Sequence, residues 1–209
     1  MAFHVAHIDD LERIAIGEMI YRPVRRPLGV TAFGANAYTA DKPGGELIEP
    51  HDETTAGSAK HEELYVVLAG HAAFEVDGEE VDARAGTLVL VPQGVHRAAI
   101  AKEPETTVLV IGASPGAAGP ISPFEYWYAA NPAYDAGDYA RAYAIAAEGL
   151  ADHPDHGTLH YNLACYAAMA GERQKALEHL RTAFERDPRT REWAQTDEDL
   201  ASVRGELPQ

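Results

Sequence analysis

Two kinds of hydrophobic periodicity divide the chain. Between residues 12 and 112, short apolar runs carry β-branched or aromatic side chains and are separated by glycine, proline or acidic turn residues. Asp77 and Gly78 stand between two such runs, where a two-residue hairpin turn needs positive φ angles. Many short strands with turns at regular intervals predict a β-sandwich or a β-barrel.

The period becomes helical in the second half, where alanines and leucines recur every three or four residues. The segment SPGAAGPISP, residues 114–123, is rich in glycine, proline and small residues, which is typical of a linker. We therefore predict a β-domain at residues 1–113, a linker at 114–123 and a helical domain at 124–209.

The helical half also repeats itself with a period of 34 residues, which is typical of tetratricopeptide repeats. The best unit runs from residue 157 to residue 188, and Pro132 is expected to interrupt the first helix of the unit before it. Two units and a capping helix fall short of a free-standing superhelix, so we expect the helices to pack on the β-domain or on a partner chain. The resemblance to tetratricopeptide repeats implies a module for protein interaction. The pairs that define the repeat are Gly137 and Gly171, Ala142 and Ala176, and Pro154 and Pro188.

Charge narrows the classes of partner. The 209 residues carry a formal net charge of -16, which disfavours binding to nucleic acid or to an anionic membrane surface. The single cysteine, Cys165, excludes a disulfide within the chain. Because the first residues also lack the pattern of a signal peptide, we expect a cytoplasmic protein.

Two spacings in the β half are informative together. Gly45 is followed after five residues by His51, and Glu63 is followed after six residues by Gly70. A second set has the spacing G-x5-P-x-G and consists of Gly86, Pro92 and Gly94. On these motifs the segment from residue 12 to residue 112 resembles the cupin superfamily. The resemblance implies a β + α two-domain fold class: a cupin jelly-roll β-barrel, or double-stranded β-helix, followed by tetratricopeptide-like antiparallel α-hairpins.

Metal-binding cupins hold one divalent ion with histidines and a glutamate of these motifs, and this resemblance implies candidate ligands. The first histidine corresponds to His51. The second corresponds to Glu53 when the motif is counted forward from Gly45, or to Ser58 or Ala59 when it is counted back from Glu63. The histidine of the second motif falls on Arg97, one residue after His96. Strand alternation adds His61, which shares a face with Glu63. The candidate metal ligands are His51, Glu53, His61, Glu63 and His96.

Such a set suits Zn²⁺, Fe²⁺, Ni²⁺ or Mn²⁺. The alternative is a site without a cofactor, in which residues 51–63 form a polar loop and Glu63 pairs with Arg97. Arg97 also suggests a contact with a carboxylate or phosphate of a ligand. With Tyr38 and Tyr65, it completes the candidate ligand-binding residues. No residue is assigned a catalytic role.

Three functional hypotheses follow. The first is a small-molecule-binding or sensing barrel with helices for protein interaction or dimerisation. The second is a metal-dependent cupin enzyme of the dioxygenase, isomerase or decarboxylase type. The third is a structural scaffold without a ligand. The cupin resemblance also implies a homodimer.

Overall fold

The computed structural model describes residues 4–55 and 58–208 of the chain. The chain divides into two compact units, Met1–Ala118 and Gly119–Gln209. In the first unit a 3-10 turn (Ile8–Asp10) precedes the strands, and the short helix α1 (Arg25–Leu28) follows the second of them. The strands are β1 (Ile14–Ile16), β2 (Met19–Pro23), β3 (Gly34–Ala40), β4 (Glu46–His51), β5 (Glu62–Ala69), β6 (His71–Val76), β7 (Glu79–Arg84), β8 (Leu88–Val91), β9 (Arg97–Ala101) and β10 (Thr106–Ala113).

The strands form two antiparallel sheets. The larger sheet has the order β1-β2-β3-β10-β5-β8, and the smaller has the order β4-β9-β6-β7. Non-sequential neighbours such as β3-β10 and β4-β9 are typical of a jelly roll, in which the chain alternates between two facing sheets. The predicted jelly-roll barrel is confirmed.

Alternation along the strands creates the core between the sheets. In β5 the side chains of Tyr65 and Val67 are buried, while Leu64 and Val66 on the opposite face are partly exposed. Phe74 of β6 meets Tyr65 with ring centroids 5.5 Å apart. The other buried hydrophobic residues of this core are Ala40, Leu47, Ile48, Ala72, Ala83, Val91, Ala99, Ala101, Val108 and Val110.

Glycine is required at two turns of this unit for different reasons. The β6–β7 hairpin turns at Asp77 and Gly78, which have φ angles of 51° and 85°. Both are positive, as the predicted two-residue turn demands. Gly70 has a φ of 72°, and a Cβ there would lie 2.8 Å from the Cα of Thr106. A side chain at position 70 would therefore push β5 and β10 apart.

The second unit is helical, as predicted. Its hydrophobic core lies between the helices, and the buried residues are mainly alanines, leucines and aromatics. Short 3-10 turns at Glu148–Leu150, Glu198–Leu200 and Arg204–Glu206 complete the unit. The helices are α2 (Pro123–Asp135), α3 (Tyr139–Ala147), α4 (Gly157–Met169), α5 (Arg173–Arg186) and α6 (Arg189–Thr196).

The repeat predicted from the sequence has a structural counterpart. α2 and α3 are joined at Gly137, and α4 and α5 are joined at Gly171, with φ angles of 74° and 79°. A left-handed glycine ends the first helix of each pair, because other residues pay a steric penalty there. Ala142 and Ala176 are fully buried at equivalent places in the second helix of each pair.

The expectation that Pro132 interrupts the first helix is wrong. α2 continues through Pro132 and ends at Asp135. Ser122 begins the helix with a capping box that includes Glu125, which fixes its start. Proline costs a helix most in its interior, and Pro132 lies in the last turn, where little helix remains to be disrupted.

A chain of hydrogen bonds runs through two histidines of this unit. His160 Nε2 lies 2.8 Å from the carbonyl oxygen of Pro154, which can only accept, so His160 carries its proton there. Its Nδ1 then accepts from His179 Nδ1 at 2.8 Å, and His179 Nε2 accepts from the hydroxyl of Tyr143 at 2.8 Å. Burial, with a contribution from His160, lowers the pKa of His179 to about 4.

We expect acid to destabilise the helical unit through His179. The unfolded chain takes up a proton near pH 6.5, whereas the folded unit resists it until about pH 4. Stability is therefore fully present above pH 6.5 and declines as the pH falls toward 4. The pKa difference alone corresponds to about 3 kcal/mol, and solvent screening of the half-buried ring reduces the expected loss to about 2 kcal/mol. The measurement is urea unfolding of the full chain between pH 4.5 and 7.5, followed by tryptophan fluorescence, since Trp127 and Trp193 both lie in this unit.

His179→Gln should flatten this pH dependence, while His96→Gln, an exposed control in the barrel, should leave it unchanged. Equal pH dependence in the native chain and in His179→Gln would show that the histidine pair does not control acid stability.

Candidate functional site

A cavity of about 690 Å³ opens into the barrel. Its floor carries polar and charged groups from β4, β5 and the segment between them. Its walls are apolar and aromatic. The lining residues are Ile16, Met19, Tyr21, Tyr38, Leu47, Ile48, Glu49, His51, Glu53, Thr55, Ser58, Glu63, Tyr65 and Val110. The volume lies within the range of small-molecule sites.

Three of the predicted ligand residues converge on this floor. Atoms of His51, Glu53 and Glu63 lie within 4.8 Å of one another. His51 Nε2 is 3.4 Å from Glu63 Oε2 and 3.7 Å from Glu53 Oε1. The side chains of Glu53 and Glu63 are only 12% and 14% exposed. Strand β4 supplies His51 at its end and β5 supplies Glu63 near its start, so two facing sheets bring these residues together.

Glu53 reaches the floor through an unusual backbone conformation. Its φ is 61°, in the left-handed region that residues other than glycine seldom adopt. The backbone N–H of His61 donates to Glu53 Oε2 at 3.3 Å and holds the carboxylate in place. The turn thus directs a carboxylate inward from a segment that would otherwise present it to solvent.

The hydrogen bond of the second ring nitrogen determines the tautomer of His51. Nδ1 lies 2.7 Å from the carbonyl oxygen of Glu49, which can only accept, so Nδ1 carries a proton. In the neutral ring, Nε2 therefore presents a lone pair toward Glu53 and Glu63. The hydrogen bond with Glu63 raises the pKa of His51, because a proton on Nε2 satisfies that carboxylate.

Glu63 is the centre of the polar network. Burial raises its pKa, but His51, the hydroxyl of Tyr65 and the charge of Arg97 outweigh burial and hold it below its usual value. Tyr65 donates a hydrogen bond to Glu63 Oε2. Burial and the carboxylate raise the pKa of Tyr65 far above its ordinary range, so the phenol stays protonated.

Arg97, rather than His96, points into the barrel. The Arg97 side chain is fully buried, and its Nε lies 3.7 Å from Glu63 Oε2. Its Nη2 donates to the carbonyl oxygens of Val91 and Pro92 at 3.3 and 3.4 Å. His96 is exposed, because successive residues of a strand face opposite sides and β9 begins at Arg97. The geometry does not bring His96 to the candidate ligands.

The side chains of His61 and Arg97 also lie differently from what the sequence predicts. His61 lies beside Glu63 but turns toward β3 and β10, where a Cβ on Gly112 would be 2.8 Å from its Nδ1. It lines a smaller cavity and is not part of the three-residue group. Arg97 is not among the residues that line the main cavity, since it lies behind Glu63. A direct contact between Arg97 and a ligand is therefore not supported.

Tyr38 and Tyr65 both line the cavity, as predicted for ligand contacts, and their role remains a prediction. The β1–β2 hairpin forms a further wall that the sequence did not indicate, with Ile16, Met19 and Tyr21. Tyr21 donates to Asn36 at 2.9 Å and packs against Tyr38. Alternation in this hairpin indicates an inward face, but the sequence does not show which strand it joins.

Comparison with known proteins identifies both units. A cupin domain model matches residues 45–112, and a tetratricopeptide repeat model matches residues 133–196. The chain carries a cupin domain followed by a tetratricopeptide-repeat region. The cupin match includes His51, Glu53 and Glu63 as well as Arg97, so the whole polar network belongs to the cupin domain. No curated protein matches the chain.

Solved cupin structures are similar to about half of this chain at low identity. KdgF from Halomonas sp. is 19% identical with a TM-score of 0.43, and the match covers 54% of this chain and 92% of that one. An RmlC-like cupin from Shewanella frigidimarina is 19% identical with a TM-score of 0.41, and the match covers 55% of this chain and 94% of that one. A sugar phosphate isomerase of the cupin superfamily from Silicibacter pomeroyi is 18% identical with a TM-score of 0.43, and the match covers 53% of this chain and 75% of that one.

Among the described residues, no helix is both long enough and apolar enough to cross a membrane.

The residues of the cupin site fit a metal ion only in part. One imidazole and two carboxylates are suitable donors for a divalent transition metal that keeps open positions. The position where the resemblance places a fourth ligand holds Arg97, whose guanidinium is a permanent cation and has no lone pair to offer. Its charge opposes a second cation beside Glu63. The site therefore fits three ligands and not the four of metal-binding cupins.

We expect Glu63 and Arg97 to stabilise the barrel as a pair. Glu63→Gln leaves the buried guanidinium without a counter-charge and should lower the free energy of unfolding by about 3 kcal/mol. Adding Arg97→Met should recover part of this loss, because the unpaired charge is then gone. The measurement is a double-mutant cycle from urea unfolding, followed by far-ultraviolet circular dichroism with tryptophan fluorescence as a reference for the helical unit.

Glu75→Gln on β6 is the matched control, since this glutamate is exposed and should change little. Additive effects of Glu63→Gln and Arg97→Met would exclude coupling between the two residues.

Proposed function

We propose that the cupin domain binds or senses a small molecule in the 690 Å³ cavity, and that the helical region contacts a protein partner. The observation that carries this proposal is the combination of an open cavity with a polar floor. A scaffold with a filled barrel would have no such space. The tetratricopeptide-repeat match supports the role of the helices, because such repeats stack to present extended binding surfaces.

Each part of the cavity has a distinct task in this proposal. Tyr21 and Tyr38 form a wall against which the apolar body of a ligand packs. The carboxylate of Glu53 offers hydrogen-bond acceptors at the floor, where it lies 3.7 Å from His51 Nε2. Arg97 acts through Glu63, because it fixes the position of that carboxylate from behind without touching the ligand. Ligand binding would then alter the segment that contains Glu53, which joins the two sheets.

A metal-dependent cupin enzyme is the second candidate, and the group of His51, Glu53 and Glu63 favours it. These three residues would hold the ion, which would supply Lewis acidity to a bound substrate. Tyr65 would keep Glu63 oriented through its hydrogen bond. The charge of Arg97 makes this the less favoured candidate.

Metal content separates the two candidates. We expect the native chain, purified without an affinity tag and incubated with Zn²⁺, Fe²⁺, Ni²⁺ or Mn²⁺, to retain far less than one equivalent after dialysis. Arg97→His removes the cation and adds a fourth donor, so this variant should gain close to one equivalent. The measurement is elemental analysis of both proteins beside His51→Ala. About one equivalent in the native chain, lost in His51→Ala, would instead establish the enzyme candidate.

We also propose that two copies pair through the outer face of the larger sheet. Leu88 and Leu90 of the edge strand β8 are 63% and 60% exposed, and they pair in register with Val66 and Leu64 of β5. Large apolar patches of this kind mark interaction sites. A second copy suits the patch, because an apolar face avoids repulsion between two chains of net charge -16. The remaining apolar residues of this face are Leu68, Leu109 and Ile111.

We expect the double variant Leu88→Glu, Leu90→Glu to be monomeric, because charges placed in the interface must be desolvated. Analytical ultracentrifugation should give the native chain twice the 22.6 kDa mass of one copy and the variant a single mass. Ile100→Glu is the control, since Ile100 is 48% exposed on the other sheet. A native monomer, or a dimer lost only in the control, would refute this interface.

A further inference from the structure

Three arginines lie close together at the end of β2 and in α1, and only the first of them is buried. Arg22 is 4% exposed, and its Nε donates to Thr39 Oγ1 at 3.1 Å. Its Nη1 donates to the carbonyl oxygen of Ile8 at 3.0 Å. These bonds inside the barrel unit give Arg22 a structural role. Arg25 and Arg26 of α1 are exposed instead.

The guanidinium of Arg25 is held in place by its own turn. The backbone N–H of Val30 donates to the carbonyl oxygen of Arg25 at 3.1 Å, and Arg25 Nε donates back to the carbonyl oxygen of Val30 at 3.1 Å. Gly29 allows this turn with a φ of 68°, in the left-handed region. A guanidinium carries five N–H donors, and this bond uses one. The edge formed by Nη1 and Nη2 is therefore oriented and available to a ligand.

Arg25 and Arg26 line a second cavity, of about 410 Å³, in which no described aspartate or glutamate takes part. The lining residues are Tyr21, Arg25, Arg26, Gly29, Val30, Thr31 and Asn36. Tyr21 donates to Asn36 Oδ1 at 2.9 Å, which leaves the Nδ2 group of Asn36 as a further donor. The main cavity contains Glu53 and Glu63 instead, so the two cavities differ in charge although Tyr21 lines both.

The positive charge of the second cavity is not compensated from within the chain. Among the described residues, neither Arg25 nor Arg26 forms an ion pair, whereas the exposed Arg13 and Arg186 do. Carboxylates are not scarce, since the sequence has 33 acidic and 17 basic residues. Two neighbouring guanidiniums repel each other, and an anion bound to both would remove that repulsion. The cavity therefore fits a negatively charged group.

We propose that this cavity binds the phosphate group of a small molecule. A phosphate monoester carries a charge of about -2 at neutral pH, which matches two arginines, whereas a carboxylate matches one. Phosphate oxygens also accept bidentate hydrogen bonds from a guanidinium, and Asn36 adds a neutral donor. The net charge of -16 repels nucleic acid and anionic membranes, so a small phosphate ester is the favoured source. This inference goes beyond the proposed function, because it concerns a different cavity.

Phenyl phosphate and benzoate test the inference, because they share a ring and differ in the charge of the head group. Each is titrated into the ¹⁵N-labelled full chain in phosphate-free buffer at constant ionic strength, followed by two-dimensional NMR. Phenyl phosphate should bind at least about tenfold more tightly than benzoate. The amide resonances of Gly29, Val30 and Thr31 and the side-chain amide of Asn36 should shift, whereas that of Val110 in the main cavity should not.

Two variants identify the arginines as the source of the preference. Arg26→Gln removes one charge from an exposed position and should weaken the binding of phenyl phosphate at least about tenfold. Arg84→Gln is the matched control, since Arg84 is an exposed arginine on β7 that lines neither cavity. It should leave the affinity unchanged. The comparison of the two probes on the native chain does not depend on the folding of either variant.

Several outcomes would overturn the inference. They are equal affinity for both probes, an equal loss in the two variants, or no binding of phenyl phosphate. Shifts confined to Tyr38 and Val110 would assign the anion to the main cavity, which supports the proposed function and refutes the second site. Co-sedimentation with phosphatidic acid vesicles that is lost in Arg26→Gln would assign the arginines to a membrane surface. Failure of phenyl phosphate to bind leaves the proposed function of the main cavity untouched.

Discussion

The pairing of Arg97 with Glu63 inside the barrel is the constraint on which the site depends. A guanidinium with no solvent exposure requires a nearby negative charge, and Glu63 Oε2 at 3.7 Å supplies it. The same oxygen accepts from Tyr65 and lies 3.4 Å from His51. Because one oxygen meets three groups, Glu63 is held in a single orientation, and the floor of the cavity is arranged around it.

Strand β5 connects this interior with the proposed interface. Its alternation directs Glu63 and Tyr65 inward and Leu64 and Val66 outward. A slip of one residue in the pairing of β5 with β8 or β10 would exchange the two faces. Such a slip would expose the polar network and bury its apolar neighbours in the wrong place. The register of one strand thus determines both the lining of the cavity and the apolar outer face that we propose for a second copy.

Much of the fold follows from local patterns in the sequence. The apolar alternation and the Asp77-Gly78 turn predict the strands, and the glycines spaced 34 residues apart predict the helical pairs. His51 and Glu63 are recognisable because their spacing from Gly45 and Gly70 is retained. The inward position of Arg97 is harder to predict from the sequence, because a shift of one residue in the adjoining turn decides whether Arg97 or His96 faces the core. Strand alternation alone does not give the number of residues in that turn.

The direction of the His61 ring could not be predicted from the sequence either. His61 shares a face with Glu63, as alternation predicts, yet the absence of a side chain at Gly112 lets its ring lean toward β10. The direction of the side chain within that face depends on the neighbouring strand, where Gly112 lies 51 residues further along the sequence. The same long-range dependence hides the wall formed by Tyr21, because only the pairing of β2 with β3 brings it to the cavity.

Arg97 occupies the position where the resemblance to metal-binding cupins places a histidine ligand. This difference alters what the barrel can hold. A histidine there would add a lone pair and leave two carboxylates to balance a divalent ion. Arg97 adds a positive charge instead, and this charge already pairs with Glu63. A guanidinium has no lone pair for a metal ion, and its charge opposes a second cation beside the same carboxylate. A residue that does not line the cavity therefore limits which ions the floor of the cavity can hold.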